Sequence, residues 1–123
     1  MKRDMELVRK LLLYVEENYT YKPLNSDSVR MDGYSDEVIG YHVKIMADGG
    51  LIETIDATST DSRTYQCFIR GITWNGHEFL DLVRDEGVWS NVKAALKRVG
   101  SAASFEVAKN VAVAYVSGRL GLS

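Results

Sequence analysis

Two histidines, one cysteine and a pair of neighbouring carboxylates are the side chains of this 123-residue sequence most suited to chemistry. Metal ligation or acid–base work would need His42 or His77 to have partners at fixed spacing, such as a second histidine four residues away or nearby cysteines. Neither has them. His42 falls on the apolar stripe of a helix and reads as a hydrogen-bonded core histidine, while His77, between Gly76 and Glu78 at a helix start, reads as a capping or packing residue. Glu78 and Asp81 lie about one helical turn apart, where solvated or capping roles suit them better than paired catalysis. Cys67 sits among apolar neighbours with no base in sight to lower its pKa, so it reads as a buried inert thiol. Gly49-Gly50 lacks the trailing Lys-Ser/Thr of a phosphate loop and the spacing of a dinucleotide fingerprint. No catalytic residue, metal ligand or cofactor is therefore assigned, and the expectation is a non-enzymatic protein.

Binding is the remaining kind of chemistry. Tyr41 and Lys44 on one helix, Arg63 on a polar loop and Arg30 upstream are the side chains that could line a positive face. In a duplex reader such a helix enters the major groove and such a loop touches backbone. Asp36, Glu37 and Asp48 on the same helix would meet phosphates unfavourably. The wider balance agrees with them. Residues 1–90 hold 10 Lys/Arg against 16 Asp/Glu, whereas residues 91–123 hold five basic groups against Glu106 alone. Phosphate contacts supply much of a DNA reader's affinity, and here the candidate reading half is the acidic one.

The elements that must position these residues centre on Asp36 to Trp74. Ser35 is a fitting N-cap for a helix with Asp36 and Glu37 in its first turn. Val38, His42 and Ile45 make one stripe and Ile39, Val43 and Met46 its neighbour, with Lys44 and Asp48 exposed and Tyr41 at the margin. Gly49 or Gly50 closes the helix. Leu51–Ala57 and Tyr65–Ile72 then read as strands joined by a polar loop with Arg63 near its tip, and Gly71 marks a bulge or close approach. Helix, Gly-Gly stop and hairpin together lay out a winged-helix module.

The rest of the chain frames that stretch. Met1 to Tyr19 predicts an amphipathic helix, with Asp4 and Glu6 in its first turn and Pro23 discouraging continuation. Ser28-Val29-Arg30-Met31 alternates like a short strand before an Asp32-Gly33 turn, leaving room only for an abbreviated helix-turn-helix. Thr73 or Asn75 caps the next helix, and Asn75 has the better spacing because Glu78 lies three residues on. Phe79, Leu80, Leu82 and Val83 supply its buried face, and Trp74 and Trp89 read as packing anchors. Val88–Val99 forms a further helix, with Val88, Val92, Ala95 and Val99 on one face and Trp89 and Leu96 alongside. Gly100-Ser101 breaks it, and Ser104 caps a last helix through Ser117. That last helix is apolar almost all round, so it must be covered. It either crosses the first helix or pairs with a second copy, the latter making Phe105, Ala108, Val111, Ala112 and Tyr115 a homodimer interface.

Composition sets the outer limits. An apolar share of 46% and a charged share of 26% suit one globular domain, divided here into a winged-helix-like core (1–90) and a C-terminal helical extension (91–123). One cysteine permits no internal disulfide and fits a reducing cytoplasm. No signal peptide is read at the start, and the longest apolar run, Val111 to Val116, is far short of the ~20 residues that span a bilayer.

Several runs also match a known pattern. They are Met1-Lys2-Arg3-Asp4-Met5 with Arg9-Lys10-Leu11-Leu12, Tyr41-His42-Val43-Lys44, Gly50-Leu51-Ile52, and above all Ile72-Thr73-Trp74-Asn75-Gly76-His77-Glu78-Phe79-Leu80-Asp81, with Val88-Trp89 and Leu120-Gly121-Leu122. On these the chain resembles an uncharacterised bacterial and prophage family known only as a domain of unknown function; Gly49 departs from its usual alanine. The resemblance implies a winged-helix fold and a mobile-element setting, and brings no activity. A looser likeness, to dimeric winged-helix regulators, is one of fold alone. The expectation is an α+β fold with extra C-terminal helices, serving as a regulatory or adaptor protein that binds another protein. The alternative is a DNA-binding transcriptional regulator.

Overall fold

The computed structural model describes residues 1–100, 105–119 and 121. Within them lie five α-helices, α1 (Met5–Asn18), α2 (Asp36–Asp48), α3 (Trp74–Val83), α4 (Glu86–Val99) and α5 (Phe105–Arg119). Three short strands, β1 (Leu24–Asn25), β2 (Ile52–Asp56) and β3 (Cys67–Ile72), form one antiparallel sheet in the order β1-β3-β2. The fold is thus α+β. Two compact units divide it, Met1–His77 and Glu78–Ser123, with the break inside α3.

In the first unit, α1 buries Leu7, Val8, Leu11, Leu12 and Val15, the stripe its spacing predicts. The helix begins later than residue 1. Asp4 is its N-cap, accepting from the backbone N–H groups of Glu6 and Leu7 at 2.9 and 3.3 Å, and so does not belong to the first turn. Ser35 caps α2 by accepting from Val38 N–H at 3.2 Å, as expected. Ile39, His42, Val43 and Met46 are buried and Lys44 and Asp48 exposed, again as the pattern requires. Gly50, with φ +79°, takes the left-handed turn after α2, and Leu51 N–H reaches back to the Met46 carbonyl at 2.9 Å.

The two main strands pair as a hairpin. Their register shifts between Glu53 and Thr54, which leaves Arg70 as the extra residue beside Gly71, so the expected bulge is present. Gly71 has φ +135°. The alternating segment Ser28–Met31 is not a strand. Leu24–Asn25 supplies β1 instead, and a one-turn 3-10 helix, Ser26–Ser28, follows it. Local polar contacts explain the difference. Asn25 Oδ1 accepts from Asp27 N–H at 2.9 Å and Ser28 Oγ donates to the Asn25 carbonyl at 2.7 Å, curling the chain before Val29 can pair.

Helix α3 is capped by Thr73, not Asn75. Thr73 Oγ1 accepts from Gly76 N–H at 3.0 Å and donates to the Gly50 carbonyl, while Thr73 N–H donates to the Leu51 carbonyl at 3.0 Å. One threonine therefore ties the α3 start to the α2–β2 turn. Gly76 makes that approach possible, because a Cβ there would overlap the Leu51 carbonyl oxygen and come 2.6 Å from Ile72 Cγ2.

In the second unit Phe79, Leu80 and Val83 are buried and Leu82 is only half-buried. Helix α4 starts at Glu86, two residues earlier than the apolar pattern suggests, because Asp85 accepts from Val88 N–H at 3.0 Å and caps it. Val88, Trp89, Val92 and Ala95 are buried, while Val99 in the last turn is exposed. Helix α5 packs on α4 and buries Ala108 and Ala112, and Phe79 and Phe105 stack with centroids 4.6 Å apart. The expected caps and breaks at Ser101 and Ser104 lie outside the described residues.

Candidate interaction surface

Of the residues suited to chemistry, His42 is the most constrained. It is fully buried, its Nε2 accepts from Asp4 N–H at 2.8 Å, and its Nδ1 lies 2.8 Å from the Val38 carbonyl. An acceptor at Nε2 leaves the proton on Nδ1, which donates to Val38. Asp4 meanwhile accepts from Tyr34 Oη at 3.1 Å. Burial first, and then the Asp4 hydrogen bond and charge, push the Tyr34 phenol above its ordinary pKa. This is a structural knot that joins the α1 start to α2.

Cys67 is buried, and burial pushes its thiol pKa up, so its environment is that of an inert thiol. His77 is exposed and lines a small cavity of ≈100 Å³ with Val15, Glu16, Tyr19 and Ile72. Trp74 corrects the sequence reading. It is 80% exposed at the α3 start, whereas Trp89 is buried as expected. Among the described residues no group of three His, Cys, Asp or Glu side chains could hold a metal ion.

The four candidate contacts to nucleic acid, all within the first unit, have different charge partners. Lys44 Nζ bonds Asp48 at 2.9 Å, one helical turn on, and this bond raises the lysine pKa. Arg30 lies 3.7 Å from Asp36 and donates to the Asp27 and Val29 carbonyls. Tyr41 is half-buried, edge-on to His42 at 5.8 Å. Arg63 is exposed on the β2–β3 loop, with no ion pair among the described residues. The exposed charges of α2 are thus Asp36, Glu37 and Asp48 against Lys44 alone. Each pair is solvent-exposed and adds little stability, but the local excess of negative charge does not depend on that.

Side chains order the β2–β3 loop. Thr58 Oγ1 accepts from Gln66 N–H at 2.9 Å and donates to the Gln66 carbonyl at 3.1 Å, Gln66 Oε1 accepts from Ser59 N–H at 3.3 Å, and Gln66 Nε2 donates to Asp27 at 3.1 Å. At its base Asp56 accepts from Thr58 N–H at 2.8 Å, which holds its pKa below the usual carboxylate value. Two hollows flank this side. One, of ≈180 Å³, lies between the 3-10 turn, the α2 start and Tyr65. The other, an open cleft of ≈490 Å³, lies beside Asp48, Glu53, Thr54, Tyr65 and Arg70. On the outer face of the sheet Ile55 (49% exposed) sits opposite Phe68 (40% exposed), an apolar cross-strand pair that the alternation of the strands contains but the sequence reading passed over.

The residues expected to form a homodimer sit on α5. Ala108 and Ala112 are wholly buried within one copy, and Phe105, Val111 and Tyr115 are half-buried. Glu106, Asn110, Val113 and Ala114 form the exposed side.

Comparison with known proteins places the chain in a family without giving it an activity. The family model for the hypothetical protein family DUF2513 matches residues 2–102, and the chain belongs to that family. An uncharacterized protein of Haemophilus influenzae is 34% identical over 118 residues, covering 95% of this chain and 97% of the relative. No solved structure matches. No helix among the described residues is long and apolar enough to cross a membrane.

Proposed function

We propose that this DUF2513 member is a winged-helix-like, non-enzymatic regulatory or adaptor protein whose α2 face and β2–β3 hairpin bind another protein. The observation that carries the reading is the charge on α2: three exposed carboxylates against one lysine, itself bonded to Asp48. A helix that enters the major groove approaches phosphates on both sides, and this one would carry negative charge towards them. A protein surface has no such requirement. The element order supports the winged-helix comparison, since helix, strand, single 3-10 turn, helix and hairpin follow one another with the 3-10 turn where a full helix usually stands. The homodimer remains a separate proposal. It would use α5 around the exposed Val113 together with the half-buried Phe105, Val111 and Tyr115, because Ala108 and Ala112 are already covered within one copy.

Photo-cross-linking tests the main reading. With a photoreactive phenylalanine analogue in place of Tyr41, irradiation in the source cells is expected to give an adduct sensitive to protease and resistant to nuclease. A nuclease-sensitive adduct, or none, would overturn the reading.

A further inference from the structure

Among the described residues the sheet order leaves β2 with no neighbouring strand on one side, and the register shows which backbone groups point there. Ala57 N–H donates to the Gln66 carbonyl at 2.8 Å, so the 57–66 pair is a bonded one. Bonded and non-bonded pairs alternate in an antiparallel ladder. Ile55 and Phe68 are therefore bonded to each other, and the N–H and C=O groups of Thr54 and Asp56 point away from β3. β2 carries no proline and no lysine, its central Ile55 is exposed, and its only charges are the carboxylates Glu53 and Asp56; the bulge residue, Arg70, lies on β3 and not on the free edge.

The surroundings specify what would fit. An added antiparallel strand places one side chain opposite Ile55 on the outer face, where Phe68 adjoins it, and its alternate side chains opposite Thr54 and Asp56 on the face towards α2. Asp48 and Thr54 line the cleft there, with Asp56 at the strand end, and Glu53 borders the same cleft from the Ile55 face. The cations nearby are Lys44, already bonded to Asp48, and Arg70. Carboxylates are in excess, and a second copy of β2 would add its own Glu53 and Asp56 to that negative charge. We propose that the free edge of β2 binds an extended segment of a partner protein in which apolar and basic side chains alternate, completing a fourth strand through Thr54 and Asp56. This rests on the protein-binding reading above, which the Tyr41 cross-link tests separately.

The test uses the isotopically labelled full chain and two capped hexapeptides, one alternating lysine with valine and the other glutamate with valine. Amide exchange at Thr54 and Asp56 is expected to slow about tenfold with the lysine peptide and not with the glutamate peptide. Thr54→Pro removes an outward N–H at a position where an edge strand tolerates proline, and should abolish the protection. Glu53→Lys with Asp56→Lys, both at exposed positions, should reverse the peptide preference whether or not the proline variant folds. Equal protection by both peptides, no protection by either, or protection in the peptide-free chain that grows with protein concentration, would overturn the proposal; the last result would assign the edge to a second copy.

Discussion

His42 shows how far single residues could be read. Its place on an apolar stripe marks it as a satisfied core histidine, and the structure finds it so, yet its partner is a backbone N–H 38 positions away that no spacing rule reaches. His42→Ala should leave a cavity and an unpaired Asp4 N–H, lowering stability by ~3 kcal/mol in chemical denaturation; an unchanged midpoint would show that the knot carries no weight. Gly76 escaped the sequence reading altogether, because what it avoids is a carbonyl from a segment 25 residues earlier. Gly76→Ala forces a Cβ into the Leu51 carbonyl and should cost ~3 kcal/mol, near the upper end for overpacking. A thermal melt like that of the parent would contradict the close approach. Trp74 was misread for the opposite reason: size and apolarity predict burial for a tryptophan, and only the direction in which α3 leaves Thr73 puts it outside.

Elements were legible where one periodicity dominates. Helices α1, α2 and α4 and the β2–β3 hairpin follow from stripe, cap and alternation, and misjudged ends trace to capping side chains. Asp4 and Asp85 are caps that the apolar pattern places inside or before a helix, because an acid in a first turn and an acid just ahead of it look alike in sequence. Ser28–Met31 failed differently, its alternation outcompeted by the bonds of Asn25 and Ser28 to nearby backbone. Asp85 gives an element-scale prediction. The Val88 N–H, and then Arg119 (3.5 Å away), hold its carboxyl below the usual value. A pKa lowered by folding means the native state binds the proton less readily, so this stabilisation is complete above the ordinary carboxylate range and declines as pH falls through the folded value. Asp85→Asn keeps a capping side chain but loses the charge, so the acid side of its stability profile should be flatter than the parent's. Superimposable profiles from thermal melts across that range would contradict the assignment.

For the molecule as a whole, the sequence could convey charge and layout but not the partners of the charges. The acidic excess of the first 90 residues is plain by counting, whereas the Lys44–Asp48 bond, the Arg30–Asp36 contact and an Arg63 without an ion pair among the described residues depend on where helix and hairpin stand. The free edge of β2 was equally out of reach, since strand order and register are not written in any one segment. We propose that this face binds protein and not duplex DNA. Fluorescence anisotropy of a labelled duplex titrated with the wild-type chain at low ionic strength tests that most directly. The prediction is no saturable binding at micromolar protein and no difference between the wild type and the Lys44→Glu, Arg63→Glu double variant. Saturable binding that falls steeply with added salt and is lost in the double variant would contradict it.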